Sequence, residues 1–167
     1  MILLSLLSAA VLVAVDQAVK FVVALHIPFQ PYGDATFPLI PGVLGISHTR
    51  NTGAAWSILA SSTWLLAVLS AAASLFVLYC ILRRKITNPL GSWALVLILA
   101  GAVGNLIDRI RLGYVVDMFR FLFVSFPVFN VADVCITVGG VMLCIYILFF
   151  YGKSQKGQRD GDHLSTP

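Results

Sequence analysis

The sequence predicts an all-α integral membrane protein with four transmembrane helices, and two observations carry that prediction. Hydrophobic residues make up 59% of the 167 residues and charged residues only 11%, whereas soluble domains carry about 25% charged residues. Long apolar stretches with few or no charges recur four times along the chain, as membrane spans of about 20 residues require. This composition excludes a soluble enzyme, a disordered chain and a protein that binds nucleic acid.

The first apolar stretch has two interpretations, a membrane span or a cleaved signal peptide. It lacks a basic start, and Asp16 and Lys20 interrupt its far end. We therefore expect an uncleaved span. The four predicted helices lie at about 3–24, 62–82, 92–110 and 131–151.

Four spans place both ends of the chain on one side of the membrane, and basic residues select that side. The loop between spans two and three and the C-terminal tail hold more basic residues than the other two loops. The two groups are Arg83, Arg84, Lys85, Lys153, Lys156 and Arg159, against Arg50, Arg109, Arg111 and Arg120. We therefore predict cytoplasmic termini, a single membrane domain over 1–151, and a disordered cytoplasmic tail over 152–167.

Both loops on the outer side are predicted to have structure of their own. Residues 25–60 are rich in proline, and positions around 43–58 alternate apolar and polar residues. That pattern favours a small extracytoplasmic β platform. Residues 111–130 are rich in phenylalanine, which predicts an interfacial loop or helix half sunk in the lipid.

Polar residues within or beside the spans fall at one depth. If both termini are cytoplasmic, helices one and three run outward and helix four begins on the outer side. Their polar residues then meet near the outer boundary of the membrane. Polar groups at membrane depth are costly and usually mark function. The residues concerned are Asp16, Lys20, Asn105, Asp108, Arg109, Asp117, Asn130 and Asp133.

Several of these residues also have a structural interpretation. Asp16 and Lys20, at i and i+4, suit an ion pair that staples helices together. Asn130 suits a helix N-cap as well as a substrate contact, and Asp108 suits an ion pair at the headgroup level. Asp133 is harder to explain structurally, because it lies in an apolar segment with no adjacent base.

The residue types limit the chemistry of such a site. The chain has three histidines, no glutamate, no HExxH motif and no G-x-S-x-G motif, so zinc hydrolysis and a serine nucleophile fit poorly. A pair of aspartates remains. Because two neighbouring carboxylates cannot both ionise easily, one keeps a proton while the other acts as a base. Such a pair activates water directly, and the sequence predicts neither a metal nor a cofactor.

Five motifs follow one another along the chain. They are Asp16-Gln17-x-x-Lys20, Asn51-Thr52-Gly53-Ala54-Ala55-Trp56-Ser57, Gly104-Asn105-x-x-Asp108-Arg109, Val116-Asp117 with Phe119, and Phe129-Asn130-x-Ala132-Asp133. In this order they resemble the lipoprotein signal peptidases, also called signal peptidase II, which are bacterial membrane aspartyl peptidases. The resemblance covers nearly the whole chain up to about residue 151.

The resemblance implies an endopeptidase with catalytic Asp117 and Asp133. It implies a structural role for the polar pair Asp16 and Lys20. Site-lining or supporting roles fall to Asn51, Gly53, Asn105, Arg109 and Asn130.

The same resemblance implies a substrate and a location. The substrate is a prolipoprotein whose lipobox cysteine carries a diacylglyceryl group, cut just before that cysteine at the outer face of the bacterial plasma (inner) membrane. Membrane lipids and cyclic peptide inhibitors are the other expected partners, and we expect a monomer.

Two other classes of protein remain as alternatives. A small proton-coupled transporter would have an acid near the bilayer midplane and internal symmetry, whereas the acids here cluster at one face and no repeat is visible. A non-catalytic assembly subunit would explain the small packing residues Gly101, Gly104, Gly139 and Gly140, but not five ordered polar motifs.

Overall fold

The computed structural model describes residues 2–31, 37–53 and 62–151. Within them the chain forms four long helices and three strands. In chain order these are α1 (Ile2–His26), β1 (Phe37–Ile40), β2 (Leu44–Asn51), α2 (Thr63–Leu82), α3 (Pro89–Leu112), β3 (Val115–Phe121) and α4 (Val131–Phe149). Each helix is long and apolar enough to cross a membrane, which confirms the predicted fold class. The tail at 152–167 and part of the 25–60 segment lie outside the described residues.

Helix α3 occupies the centre of the bundle. Its most apolar window is 56% buried, against 11–22% for the other three helices, whose remaining apolar side chains face outward. Helix α4 approaches α3 closely through glycines: Gly101 lies against the Ala132 carbonyl oxygen, and Gly139 lies against the Ala94 carbonyl oxygen. Gly140, which the sequence also offered for packing, faces open space within the described part of the chain. Small residues therefore set the distance between the two helices, as in other membrane bundles.

Alanine substitutions at Gly101 and Gly140 should have effects of opposite sign. A Cβ atom at Gly101 would collide with the Ala132 carbonyl oxygen and the Ile136 side chain, and overpacking of this kind costs about 1–3 kcal/mol. A Cβ atom at Gly140 meets nothing, so the helix propensity of alanine should stabilise α4 by about 0.5–1 kcal/mol. Thermal unfolding in detergent measures both, and equal melting temperatures would contradict the described helix contact.

The three strands form one antiparallel sheet in the order β1-β2-β3. The sheet lies at a single end of the bundle, because α1 and α3 run into it while α2 and α4 start from it. Within the segment 111–130, where an interfacial loop or helix was expected, residues 115–121 form strand β3 instead, whereas residues 122–128 do form a loop. The residues of β3 pair with β2 at Thr49–Asp117, Arg50–Val116 and Asn51–Val115, and Phe119 bridges to Phe129.

Strand β3 is oriented by a small apolar core beneath the sheet. Val116 and Met118 are buried with Val23 of α1. Because neighbouring residues of a strand point to opposite faces, Asp117 points away from α1, and its carboxylate oxygens accept hydrogen bonds from Asn51 and Asn130. The path to β3 is set by Gly113, which ends α3 with a left-handed φ of 76° that glycine adopts without strain.

Candidate active site

The polar residues singled out in the sequence converge at the end of the bundle next to the sheet. Ten of the residues singled out are linked by hydrogen bonds or ion pairs into one network. The network spans α1, β2, α3, β3 and α4. Its members are Asp16, Lys20, Asn51, Gly53, Asn105, Asp108, Arg109, Asp117, Asn130 and Asp133. Residues 54–57 of the outer-loop motif lie outside the described residues.

Lys20 forms the centre of the buried part of this network. Its Nζ lies 2.9 Å from Asp16 Oδ2 and 3.0 Å from Asp108 Oδ2, and it donates to Asn105 Oδ1 at 3.0 Å. The side chain is only 3% exposed. Asp16 also accepts a hydrogen bond from the Ala132 backbone N at 2.9 Å. The cluster therefore joins α1 to both α3 and α4.

Asp108 differs from its structural interpretation as a headgroup-level acid. It is buried, and it accepts hydrogen bonds from Val116 N on β3 and from Gln17 Nε2 on α1. Gln17 is a residue whose role sequence reasoning missed. It also donates to the Gly104 carbonyl oxygen, and its sequence signals are its place in the Asp16-Gln17-x-x-Lys20 motif and its polar side chain in an apolar span.

Asp117 is held by two amide side chains. Asn130 Nδ2 donates to Asp117 Oδ1 at 2.6 Å, and Asn51 Nδ2 donates to Asp117 Oδ2 at 3.0 Å. The amide of Asn51 is itself oriented, since its Oδ1 accepts from the backbone N of Gly53 at 2.9 Å. Neutral donors thus fix both oxygens of this carboxylate without adding charge.

Asn130 links the two predicted catalytic aspartates. Its Oδ1 accepts from Asp133 N at 2.9 Å, and Asp133 Oδ2 accepts from Asn130 N at 3.1 Å, which is a capping box at the start of α4. Its Nδ2 donates to Asp117 and to Asn105 Oδ1. The two interpretations of Asn130 therefore do not exclude each other, because one side chain caps the helix and contacts the site.

A cavity of about 690 Å³ opens beside this network. Asp117, Asp133 and Arg109 lie at its polar end, and most of its other lining residues are apolar residues of α2, α3, α4, β3 and the segment that follows β3. Leu66, Leu69, Ile98, Phe121, Phe126 and Ile136 are among the apolar lining residues. The site therefore combines two carboxylates with a space suited to a long apolar group.

Arg109 is the cation that faces this cavity. Its Nη1 donates to the Asn105 carbonyl oxygen at 3.4 Å, and its Nη2 donates to the Gly53 carbonyl oxygen at 3.5 Å. Its Nε is buried and has no hydrogen-bond partner among the described residues. Both contacts are long, so the guanidinium keeps donors available for a bound molecule.

The environment of Asp117 favours its protonated form. Burial and the neighbouring charge of Asp133 raise the pKa of Asp117 to about 7, against the opposing hydrogen bonds from Asn51 and Asn130 and the charge of Lys20. The carboxyl is therefore balanced between its two protonation states near neutral pH. This is the property expected of a group that exchanges a proton during a reaction.

The raised pKa of Asp117 predicts a pH-dependent stability difference. A carboxyl that binds its proton more tightly when folded stabilises the fold at low pH, and this contribution is lost as pH rises from about 4 to about 7. Asp117→Asn removes the ionisation. We expect its melting temperature, relative to the wild type, to be higher at pH 8 than at pH 4.5. A difference that does not change with pH would contradict the raised pKa.

Four apolar helices and a polar site with two neighbouring aspartates define an integral membrane protein with an active-site-like cleft at one end of its bundle. The chain belongs to the signal peptidase (SPase) II family, whose model matches residues 8–149. The resemblance seen in the motifs is thereby confirmed. The protein is accordingly a membrane peptidase of the lipoprotein signal peptidase type.

Similar proteins come from bacteria. The lipoprotein signal peptidase of Clostridioides difficile (strain 630) is 44% identical over 121 residues, which cover 72% of this chain and 81% of that protein. The lipoprotein signal peptidase of Enterococcus faecalis (strain ATCC 700802 / V583) is 38% identical over 152 residues, covering 91% and 92%. A solved bacterial membrane enzyme, determined by the in meso method at 2.3 Å resolution, matches with a TM-score of 0.78 and 34% identity, covering 86% of this chain and 87% of that one.

Proposed function

We propose that this protein is an aspartyl endopeptidase that removes signal peptides from diacylglyceryl-modified prolipoproteins by cutting just before the lipidated cysteine. One observation carries the proposal: two aspartates joined through Asn130 lie at the polar end of a large apolar cavity. Membership of the family supports it, as do relatives named lipoprotein signal peptidase. The same membership argues against a transporter or an assembly subunit.

The reaction uses Asp117 and Asp133 as a general acid–base pair. One carboxylate is ionised and takes a proton from a water molecule, whose oxygen attacks the scissile carbonyl carbon. The other is protonated and donates a hydrogen bond to the oxygen that becomes negatively charged. The first carboxyl then passes its proton to the leaving amine as the C–N bond breaks and the carbonyl re-forms, and the second carboxyl keeps its proton. No covalent intermediate with the enzyme forms.

The cavity walls suit the lipid part of this substrate. Apolar side chains of α2, α3 and α4 line the cavity, so that acyl chains would be buried along them while the peptide bond meets the polar end. Asn51, Gly53, Asn105, Arg109 and Asn130 surround that end. In this arrangement they orient the carboxylates and hold the peptide backbone.

The proposal includes a setting in the cell. The enzyme is a monomer in the bacterial inner membrane, with a single membrane domain over 1–151 and both termini in the cytoplasm. The Arg83, Arg84 and Lys85 turn lies at the end of the bundle opposite to the sheet, which supports a site at the outer face by the positive-inside rule. Membrane lipids surround the helices, and cyclic peptide inhibitors that reach the aspartates should block cleavage.

A cleavage assay with one prolipoprotein in two forms tests the proposal. Purified protein in detergent is given the diacylglyceryl form and the unlipidated form, with and without EDTA. We expect cleavage just before the cysteine, at least about 100-fold faster for the lipidated form because of its additional binding energy, and no effect of EDTA. No cleavage by folded protein would overturn the proposal, and EDTA inhibition reversed by metal would overturn the metal-free mechanism.

Arg109→Ala should weaken substrate binding more than the chemical step. The guanidinium lines the cavity with donors available, and loss of a charged hydrogen bond to a bound carbonyl should raise KM about tenfold while kcat falls less. Arg111→Ala is the matched control, since Arg111 lies in the same last turn but is exposed. Steady-state kinetics on lipidated substrate measure both, and unchanged kinetics for Arg109→Ala refute the role.

A further inference from the structure

Lys20 contacts the site through a single neutral side chain. An ammonium group has three donors and no acceptor, and all three directions from Lys20 Nζ lead to oxygens, those of Asp16, Asp108 and Asn105. The contact with Asn105 Oδ1 is the one that leads toward the aspartate pair. Asn105 in turn donates from its Nδ2 to Asp133 Oδ1 at 2.8 Å.

The orientation of the Asn105 amide follows from these partners. Its Oδ1 faces Lys20 Nζ and Asn130 Nδ2, and neither can accept a hydrogen bond. Asn130 cannot rotate its own amide, because its Oδ1 caps α4 by accepting from Asp133 N. A flipped Asn105 would bring its NH2 group against two donors. The NH2 group must therefore face Asp133.

Both carboxylate oxygens of Asp133 therefore accept hydrogen bonds, and one of the two donors, Asn105, is itself hydrogen-bonded to the Lys20 ammonium group. Asn105 donates to Oδ1 and the backbone N of Asn130 donates to Oδ2. Asp133 also lies in the first turn of α4, where the helix dipole favours a negative charge. Asp117 has two neutral amide donors and no helix terminus. The surroundings therefore favour the negative charge on Asp133.

We propose that Lys20 is a positioning residue of the aspartate pair, which acts through Asn105 to keep Asp133 ionised in the resting enzyme. The shared proton then lies on Asp117, whose carboxylate has only neutral amide donors. This inference rests on the proposed peptidase function. It gives Lys20 a role beyond joining helices, because the Asn105 amide that Lys20 polarises also donates a hydrogen bond to a reacting carboxylate.

Other charges near Asp133 do not replace this effect. Arg109 interacts with both aspartates and faces the cavity, where a bound substrate would engage it. Asp16 and Asp108 are negative and would oppose ionisation. Within the described ranges, the charged or titratable groups around Asp133 are Lys20 and Asp16 on α1, Asp108 and Arg109 on α3, Asp117 on β3 and Cys135 on α4.

The test is the pH profile of kcat for Lys20→Met on lipidated substrate. If Lys20 keeps Asp133 ionised, the acid limb of the profile should move to higher pH by about one unit, the shift expected for one lost charge-assisted hydrogen bond, with KM little changed. A structural role would lower the amount of folded enzyme and leave the limb in place. An unmoved limb therefore overturns the inference.

A second variant keeps the test valid if Lys20→Met does not fold. Asn105→Ala leaves the ion pairs of Lys20 with Asp16 and Asp108 intact and should move the acid limb in the same direction. In the double variant the two shifts should not add, because both changes interrupt one path. Additive shifts, or no shift in Asn105→Ala, overturn the inference.

Two controls separate this inference from the proposed function. Asp108→Asn disturbs the same buried cluster but keeps the contact between Lys20 and Asn105, so it should lose stability without moving the acid limb to higher pH. A wild type that does not cleave lipidated substrate means that the peptidase function has failed. If the wild type cleaves and the acid limb of the pH profile does not move in the variants, only the proposed role of Lys20 is refuted.

Discussion

Replacing either Asp117 or Asp133 by asparagine is expected to lower kcat by at least about a thousandfold. Each substitution keeps the shape of the side chain and removes the ability to exchange a proton. In the proposed mechanism one carboxyl carries the proton from water to the leaving amine and the other donates to the carbonyl oxygen, so loss of either stops the reaction, and the double variant should be no slower than either single variant. Cleavage of a lipidated prolipoprotein at saturating substrate measures the effect.

The control for this prediction must separate lost chemistry from lost folding. Asp108→Asn is matched to the Asp117 variant, because Asp108 is buried and hydrogen-bonded like Asp117 but does not line the cavity. Its activity per folded molecule should stay within about tenfold of the wild type, while its melting temperature falls. An asparagine variant at 117 or 133 that retains most of its activity would remove that residue from the reacting pair.

Asn130→Ala is expected to reduce both activity and stability. The alanine removes the N-cap of α4, which costs about 1 kcal/mol, and it removes donors to Asp117 and Asn105. Misplacement of one carboxyl relative to the other should lower kcat by roughly 100-fold. Kinetics and thermal unfolding of the same preparation give the two numbers.

Two further variants separate the loss of stability from the loss of activity. Asn88 caps α3 at the opposite end of the bundle, where its Oδ1 accepts from the backbone N of Leu90 and Gly91, so Asn88→Ala should lose similar stability at unchanged kcat. Asn130→Ser keeps a capping oxygen without the amide donors, so it should recover stability but little activity. If Asn130→Ser were fully active, the contact with Asp117 would have no catalytic importance.

The parts of the fold that depend on local composition could be predicted from the sequence. Four apolar stretches imply four spans, and the polar residues in them are few enough to stand out. The catalytic hypothesis for Asp117 came from its motif, because an aspartate in a phenylalanine-rich loop has no unusual property of its own. Composition therefore predicts the architecture, whereas the motifs predict the site.

What could not be predicted depends on pairing between distant residues. The strand character of Val115–Phe121 requires β2, about 70 residues earlier in the chain, and without that partner the segment looks like an interfacial loop. The pairing of Asp108 with Lys20 and the contact of Gln17 with Asp108 join residues more than 85 positions apart. Asn130 was predicted to cap or to contact substrate, but its simultaneous bonds to three residues follow only from the assembled bundle.

The hydrogen bond from Ala132 N to Asp16 Oδ1 has a consequence for biosynthesis. It connects α1 with α4, which leaves the ribosome later, across 116 positions of the chain. Until α4 has entered the bilayer, the nascent protein has only one of its two aspartates in place and a buried acid without its backbone partner. If Asp117 and Asp133 react as proposed, a chain that ends before α4 has no proteolytic activity, because Asp133 is not yet in place.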